Sequence, residues 1–511
     1  MGEIISGQRR IDIAAVNERA ARAAAGFRSL GVGRGDAIAL CLRNDFAFFE
    51  ASYAAGLLGA YPVPINWHYT EDEARYLLEN SGAKVIVIHA DLLAPIRRAI
   101  PSGVLVLAVP TPSEIMSWYN VTLDPRFDLH EAPSWDGFVE QFAPKPPEAI
   151  EPPGSMIYTS GTTGHPKGVR RHPPTAEQVM AQRVILMRGF GFSADNGPSI
   201  VTVVTGPMYH SAPNAYGTMA ASLGGTVILQ PRFEPEELLR LIETHRVTHV
   251  HMVPIMFNRL LRLPMETRAR YDLSSLKFVV HAAAPIAASI KRAMIEWWGE
   301  KINEYYGSTE TGIITFCTAR EWLGHPGTVG RAVPEAQIRV LAANGTEQPV
   351  GSAGEVACRT SIADFTYHGD GARRSAADRA GLFATGDIGY LDSEGFLYLC
   401  DRAKDMLISG GVNIYPAEIE AELHKMPGVA DCAVFGVPDE EYGEAVCAAV
   451  ELQRGAELTA ADVKTYLRGH LASFKVPKRV DFLSKLPRED SGKIFKRKLR
   501  EPYWAGLDRR I

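Results

Sequence analysis

The sequence lacks three features that would assign it to other classes of protein. It has no run of about 18 apolar residues, so we expect no integral membrane segment. Its 6 cysteines include no C-x-x-C pair, which argues against a zinc or dithiol redox site and favours a reducing, cytoplasmic location. It also lacks a basic excess, because 54 Lys plus Arg face 59 Asp plus Glu, and no nucleic-acid partner is expected.

The 511 residues, 46% of them apolar, are enough for several globular domains. Helix-like segments such as 16–30 alternate with short apolar runs such as 36–42, and this alternation predicts a largely parallel α/β fold. From about 325–400, short strands separated by Gly and Asn predict an additional small β-barrel. We therefore expect an α/β protein with a large N-terminal domain over 1–401, made of two α/β lobes and the barrel, and a small α+β domain over 402–511.

The stretch 158–169, with the sequence YTSGTTGHPKGV, is the most informative part of the chain. Closely spaced glycines allow a backbone to approach an anion and to turn its N–H groups toward it. Hydroxyl groups add donors and a lysine adds positive charge, so the loop predicts a polyphosphate site, although the order of residues is not that of a Walker A loop. The residues expected to contact phosphate are Thr159, Ser160, Gly161, Thr162, Thr163, Gly164 and Lys167.

Together with four motifs that follow it in order, this loop resembles the signature of the adenylate-forming superfamily, which includes acyl-CoA synthetases, adenylation domains and luciferases. The motifs are YGSTETG at 306–312, ATGDIGY at 384–390, DRAKD at 401–405 with 410–420 after it, and LPREDSGK at 486–493. The resemblance covers nearly the whole chain and is greatest to fatty-acid and to steroid or bile-acid CoA ligases. It implies that a carboxylate attacks the α-phosphorus of ATP and that CoA then displaces AMP from the acyl-AMP.

The resemblance implies four catalytic residues. Lys493 would bind the carboxylate and the α-phosphate, which suits a point charge on a flexible stem. Glu310 would bind a Mg²⁺ ion that bridges the phosphates, with Thr163 as a second ligand, and Thr309 would donate to the α-phosphate. His210 would gate and pack between the acyl and nucleotide sites.

The contacts to the adenosine part of ATP are implied in the same way. Tyr306 would cover the adenine face, and the small residues from position 283 would let adenine lie against backbone. Asp387 would accept hydrogen bonds from both ribose hydroxyls, and Arg402 would bind ribose or phosphate. The full set is Ala283, Ala284, Pro285, Tyr306, Gly307, Asp387 and Arg402.

The second step of the implied reaction needs a mobile C-terminal domain. Lys404 falls where the superfamily has its hinge, over 402–404, and rotation about it would replace Lys493 with a different face of the domain. Two adjacent glycines on that face would leave a narrow path for the pantetheine arm. The residues expected to bind CoA are Gly410, Gly411, Tyr442, Phe474 and Lys478. The implied cofactor and co-substrates are therefore Mg²⁺, ATP and CoA.

The acid substrate is only partly readable from the sequence. The candidate pocket is mostly apolar or aromatic, which suits an acyl tail or a ring. We expect a medium- to long-chain fatty acid, with an aryl, steroid or bile acid as the alternative. The pocket residues are Tyr209, Ser211, Tyr216, His281, Ile313 and Ile314.

Two other functions compete with that of a CoA ligase. A stand-alone adenylation enzyme would load its acid onto a carrier protein, but an amino-acid substrate is disfavoured because 206–217 contains no Asp or Glu to pair its ammonium group. A non-catalytic nucleotide-binding protein is disfavoured because every expected chemical residue is present. The sequence leaves the oligomeric state open, and a homodimer is one arrangement that it permits.

Overall fold

The computed structural model describes residues 2–121, 132–144, 150–159, 166–402, 405–409, 412–439, 442–488 and 494–505. Within these ranges, no helix is both long enough and apolar enough to cross a bilayer. Several predicted site residues lie outside the described part, so their roles stay predictions. They are Ser160, Gly161, Thr162, Thr163, Gly164, Lys404, Gly410, Gly411 and Lys493, together with the side chain of Arg402.

The first lobe contains a four-stranded parallel sheet. Its elements, and two strands that join the main sheet, are β1 (Glu3–Ser6), β2 (Arg9–Asp12), α1 (Ile13–Ser29), β3 (Ala37–Cys41), α2 (Phe46–Leu57), β4 (Tyr61–Pro64), α3 (Glu71–Ser81), β5 (Ala83–His89), α4 (Ala90–Ile96), β6 (Leu105–Val109), α5 (Ser113–Tyr119) and α6 (Trp135–Glu140). The strand order is β4-β3-β5-β6. Every residue of β3 is buried, as expected for a parallel strand covered on both faces.

The second lobe supplies most of the main sheet. Its elements are β7 (Ile157–Thr159), β8 (Lys167–Arg171), α7 (Ala176–Phe190), β9 (Val201–Val204), α8 (Ser211–Ser222), β10 (Thr226–Leu229), α9 (Pro235–His245), β11 (His249–Met252), α10 (Pro254–Leu261), α11 (Met265–Arg270), β12 (Phe278–His281), α12 (Ala288–Trp298), β13 (Ile302–Ser308), β14 (Gly312–Cys317) and α13 (Ala319–Gly324). Strands β1, β10, β9, β11, β12 and β13 are adjacent and parallel. Their carboxyl ends therefore meet at one edge of the sheet, which is where ligands bind in open α/β folds.

The strands that follow extend this sheet in antiparallel fashion. They are β15 (Thr328–Ala332), β16 (Ala336–Leu341), β17 (Gly354–Thr360), β18 (Phe365–Tyr367), β19 (Asp378–Arg379), β20 (Leu382–Leu391) and β21 (Phe396–Arg402), with helix α14 (Gly371–Ala376) between β18 and β19. The order β14-β15-β21-β20-β17-β16 ends at β16, which curls back toward β14 and β15. The described pairings thus give a curled strip with an open edge, where the sequence predicted a β-barrel.

The C-terminal part has a separate apolar core. Its elements are β22 (Leu407–Ser409), β23 (Val412–Ile414), α15 (Pro416–Leu423), β24 (Val429–Asp439), β25 (Gly443–Leu452), α16 (Ala460–Arg468), β26 (Arg479–Phe482) and α17 (Lys496–Trp504). Buried residues of α15, β24, β25 and α16 pack on one another, with Ile419 and Val463 at their centre. The expected class, an α/β protein with a large N-terminal and a small C-terminal domain, is confirmed.

Candidate active site

One cavity of about 3600 Å³ opens at the carboxyl edge of the main sheet and runs on between the N-terminal and C-terminal parts of the chain. A typical small-molecule pocket measures roughly 300–1,000 Å³, so this cavity has room for more than one substrate. The structure brings many of the predicted residues to its wall. They are Thr159, Lys167, Tyr209, His210, Ser211, Ala283, Ala284, Pro285, Tyr306, Gly307, Thr309, Glu310, Ile313 and Asp387.

The tight turn between β13 and β14 presents Thr309 and Glu310 to the cavity. Ser308 and Thr311 close the turn reciprocally, since the backbone N–H of each donates to the side-chain oxygen of the other, at 3.0 and 3.2 Å. The hairpin requires glycine at position 307, because a Cβ there would lie 1.9 Å from the carbonyl oxygen of Gly312. The Thr309 hydroxyl donates to Ser211 Oγ at 3.1 Å, which ties the turn to the start of α8.

Two residues without a predicted role hold this turn in place. Arg171, at the end of β8, donates from one nitrogen to the carbonyl oxygens of Thr309 (2.8 Å) and Glu310 (3.1 Å). Burial lowers the pKa of its guanidinium to about 10, so the side chain keeps its charge at neutral pH. The hydroxyl of Tyr367 in β18 donates to Glu310 Oε1 at 3.1 Å. Neither contact could be read from the sequence, because both join segments more than 50 residues apart.

Tyr306 and Asp387 form the nucleoside end of the site. The Tyr306 hydroxyl donates to Asp387 Oδ2 at 2.5 Å and to Thr385 Oγ1 at 3.2 Å. Burial, followed by the neighbouring Asp387 charge, raises the pKa of Tyr306 well above its ordinary value, so the phenol stays protonated as a donor. The two side chains come from β13 and β20, which lie in the same sheet.

The segment after β12 approaches the same region. Ala283 has φ of 74°, a left-handed conformation that is uncommon for a residue with a Cβ. Strained backbone of this kind tends to occur at ligand sites. Ala283, Ala284 and Pro285 all line the cavity, as expected of a surface against which a flat ring could lie.

A buried charged cluster lies beneath this segment. Lys291 of α12 is fully buried, and its ammonium group donates to the Glu304 carboxylate in β13. His281 Nε2 is 3.4 Å from the same carboxylate, and burial followed by the Lys291 charge lowers the pKa of His281 well below its ordinary value. The neutral His281 therefore belongs to the core below the nucleotide region.

Only part of the predicted acyl pocket faces the cavity. Tyr209, Ser211 and Ile313 line it, whereas Tyr216, His281 and Ile314 are absent from its wall and are almost fully buried. Tyr216 shares a hydrogen bond of 2.8 Å with Thr202 inside the sheet. The wall instead includes the α7 and α8 side chains Gln182, Leu186, Phe190, Ala215, Thr218 and Met219.

His210 and Lys167 also line the cavity. His210 precedes α8, and its ring centroid is 4.4 Å from that of Tyr209, which in turn contacts Trp67 edge-on at 4.6 Å. Lys167, at the start of β8, pairs with Asp370 at 2.9 Å. A polyphosphate would compete with Asp370 for this ammonium group.

Three of the residues predicted for CoA, Tyr442, Phe474 and Lys478, fall within the described ranges, and none of them lines the cavity. Tyr442 and Phe474 are 42% and 50% exposed on the C-terminal part. The ammonium group of Lys478 lies 4.2 Å from the centroid of the Tyr442 ring and 2.7 Å from Asp439 Oδ2. Their use as a CoA site would require a second arrangement of this part, and the assignment stays a prediction.

A half-buried ion pair anchors the start of α17 where the cavity borders the C-terminal part. Lys496 pairs with Glu420 at 2.8 Å. Burial lowers the pKa of Lys496, but Glu420, Asp401 and Asp405 outweigh that effect and raise it. The ion pair therefore joins the start of α17, which follows the predicted lysine motif, to α15.

Comparisons with known proteins agree with this geometry. The family model for AMP-binding enzymes matches residues 3–363, and that for the AMP-binding enzyme C-terminal domain matches 418–493. The long-chain-fatty-acid–CoA ligase FadD13 of Mycobacterium tuberculosis is 32% identical over 510 residues, which cover 97% of this chain and 94% of the relative. Feruloyl-CoA synthase from an Amycolatopsis species is 31% identical over 511 residues, with 97% and 95% covered.

A solved structure shows the same fold in a nucleotide-bound form. ATP-bound MatB from Rhodopseudomonas palustris superposes with a TM-score of 0.83 at 28% identity, covering 99% of this chain and 96% of the other. The apo form of MatB gives 0.71 at 29% identity, with 98% and 96% covered. The chain therefore belongs to the AMP-binding, adenylate-forming enzymes, as an AMP-forming ligase of the acyl-CoA synthetase type.

Proposed function

We propose that this enzyme joins a carboxylic acid to CoA through an acyl-AMP intermediate, with release of pyrophosphate and AMP. The observation that carries the proposal is the convergence of Thr309, Glu310, Tyr306 and Asp387 on one cavity. The same cavity has an apolar part, which we call the arm, lined by Leu186, Phe190, Met219 and Ile313. Thr309 and Glu310 suit phosphates, Tyr306 and Asp387 suit a nucleoside, and the arm suits the acyl chain of a carboxylic acid.

The first step needs negative charge to be held while the carboxylate attacks the α-phosphorus. Lys167 and the Thr309 hydroxyl face the cavity and would neutralise or donate to the phosphate oxygens. Arg171 fixes the backbone of the turn that carries Thr309 and Glu310. Lys493 would bridge the carboxylate and the α-phosphate, and the described residue after it, Ile494, lines the cavity.

Glu310 fits the requirements of a magnesium site. Mg²⁺ is commonly held by one or two carboxylates together with substrate phosphates, and Glu310 offers a carboxylate at the cavity wall. Thr163 would be a second ligand. When bound, the ion would neutralise charge on the phosphates. Tyr367 orients the carboxylate through its hydrogen bond to Oε1.

The second step would use the other arrangement of the C-terminal domain. The domain, over 402–511, would rotate about Lys404 and bring Gly410 and Gly411 to the acyl carbon. Tyr442, Phe474 and Lys478 would then contact CoA, since exposed aromatic rings and a cation suit its adenine and phosphates. A carrier protein as the thiol acceptor is the alternative.

We propose a medium- to long-chain fatty acid as the substrate, because Leu186, Phe190, Met219 and Ile313 give the arm an apolar wall. A ring-bearing acid with polar substituents is the second candidate, since Gln182 and other polar groups share that wall. We further propose a cytoplasmic location, because the 6 cysteines are all free thiols. A homodimer remains part of the proposal, to be tested by light scattering.

The test is a panel of acids with two acceptors. Pyrophosphate release and thioester formation would be measured with ATP, Mg²⁺ and acids from acetate to palmitate, plus benzoate, cinnamate and a steroid acid. CoA and a phosphopantetheinylated carrier protein would be compared as acceptors. We expect pyrophosphate release with an apolar acid and thioester only with CoA. Release of pyrophosphate with none of the acids would contradict the proposal, and thioester formation only on the carrier protein would replace CoA as the acceptor.

A further inference from the structure

Four arginines gather where the N-terminal and C-terminal parts meet, and we call them the arginine seam: Arg232, Arg259, Arg262 and Arg488. Arg232 follows β10, Arg259 lies in the last turn of α10 and Arg262 directly follows that helix, so all three belong to the N-terminal part. Arg262 donates across the boundary to the carbonyl oxygen of Ala430 in β24, at 2.7 Å. The seam therefore forms a direct contact between the two parts.

Arg488 reaches the same place from the C-terminal side. Its guanidinium pairs with Asp431, the residue after Ala430. Burial, followed by the charges of Arg259 and Arg262, lowers the pKa of Arg488 to about 10. The same causes act on Arg259, whose pKa is lowered by burial and then by Arg232 and Arg262. Arg262 and Arg488 contact the neighbouring residues Ala430 and Asp431, and Arg259 lies three residues before Arg262, so these charges are close together.

The seam has too few carboxylates for its positive charge. Within the described ranges, Arg232 and Arg259 have no hydrogen-bond or ion-pair partner, and Arg262 has only a carbonyl oxygen. Asp431, the carboxylate that pairs with Arg488 in the described part of the chain, also lies 3.8 Å from His424 Nε2. Like charges facing each other across an interface cost free energy unless an anion lies between them.

The seam is also open to the cavity. Arg488 and His424 line its wall, as does Asn258, the residue before Arg259 in α10, so the cavity reaches the C-terminal side of the seam. Guanidinium groups bind phosphate through paired hydrogen bonds, and several converging groups would favour an anion with more than one negative charge.

We propose that the arginine seam binds an inorganic phosphate anion, either phosphate or the product pyrophosphate, and that this anion clamps the two parts in the arrangement described here. The regulatory part of the inference rests on the proposed function. Because the second step requires the C-terminal domain to leave this arrangement, the bound anion would slow thioester formation. The coupling is reciprocal, so an enzyme held in this arrangement would bind the anion more tightly.

Binding is tested first, by calorimetric titration of phosphate and of pyrophosphate into the full chain. Saturating ATP with EDTA occupies the nucleotide site without turnover. The seam variant is Arg259→Gln with Arg262→Gln, at two exposed positions, and the charge-matched control is Arg320→Gln with Arg339→Gln, at an exposed and a half-buried position. We expect binding to the wild type and the control, and affinity at least about tenfold lower in the seam variant. The anion that binds more tightly, phosphate or pyrophosphate, is the one that we expect to occupy the seam in the cell.

Thioester formation from supplied acyl-AMP is measured next, at constant ionic strength and with added phosphate. We expect phosphate to slow the wild type and the control by about fivefold or more, and the seam variant much less. Equal phosphate binding or equal slowing in all three proteins would overturn the inference, as would absence of binding in the wild type. Displacement of phosphate by CoA but not by pyrophosphate would assign the seam to the CoA site instead.

These measurements separate the inference from the proposed function. Calorimetry uses neither acid nor CoA, so phosphate binding at the seam in a chain that forms no acyl-AMP would contradict the proposed function alone. Thermal unfolding of the variants checks that they are folded.

Discussion

Replacing Asp387 by Asn should weaken the use of ATP through the ribose. In the structure one oxygen of Asp387 accepts a hydrogen bond from Tyr306 at 2.5 Å, and an ionised carboxylate has about four acceptor positions. An Asn keeps the size and one acceptor oxygen but loses the charge. If two ribose hydroxyls each lose part of a charge-assisted hydrogen bond, the loss is about 2–3 kcal/mol, or about 30- to 160-fold in kcat/KM for ATP.

The assay compares ATP with 2′-deoxy-ATP and 3′-deoxy-ATP in pyrophosphate release. We expect the wild type to prefer ATP strongly and Asp387→Asn to distinguish the three nucleotides much less. Tyr306→Phe is the matched control, because it removes the hydroxyl that bonds Asp387 but keeps the carboxylate, and it should still discriminate. A folded Asp387→Asn protein with the full wild-type preference for ATP over both deoxynucleotides would refute the assignment of Asp387 to ribose.

Three other predictions concern the two half-reactions and the buried cluster. Lys493→Ala should abolish acyl-AMP formation but spare thioester formation from supplied acyl-AMP; equal loss of both steps would contradict its assigned role. Gly411→Leu should leave pyrophosphate exchange near wild type and reduce CoA-dependent turnover by at least about a hundredfold, or about 2.7 kcal/mol in the barrier; an unchanged rate with CoA would count against domain rotation. Lys291→Met should lower the free energy of unfolding by about 3–5 kcal/mol, because it leaves Glu304 buried without its cation. Burial raises the pKa of Glu304, so urea unfolding should show this variant losing stability as pH rises, and a stability independent of pH would contradict this reasoning.

The sequence was most informative where local pattern determines structure. The apolar run 36–42 contains the strand β3 (Ala37–Cys41), because parallel strands buried on both faces are short apolar runs. The fold class followed from the alternation of helix-like and strand-like segments, and the family followed from five motifs in order along the chain. The curled strip of β14 to β16 was harder to predict, because local sequence does not state whether the last strand pairs with the first.

Side-chain direction and long-range contacts were beyond the sequence. Tyr216 was placed in the acyl pocket, but the helical turn that exposes Ala215 to the cavity points its neighbour into the sheet. Arg171 and Tyr367 support the catalytic turn from segments far away in sequence, and no local pattern marks them. The arginine seam depends in the same way on two parts of the chain that only the folded structure brings together.

The central claim is that the acid attacks the α-phosphorus of ATP, and the fate of a carboxylate oxygen tests it most directly. A carboxylic acid carrying ¹⁸O in its carboxyl group would be converted to its CoA thioester, and the products would be analysed by mass spectrometry. Attack at the α-phosphorus predicts one ¹⁸O atom in AMP and none in pyrophosphate. Label in inorganic phosphate, with ADP as the nucleotide product, would contradict an adenylate intermediate and with it the function proposed for this chain.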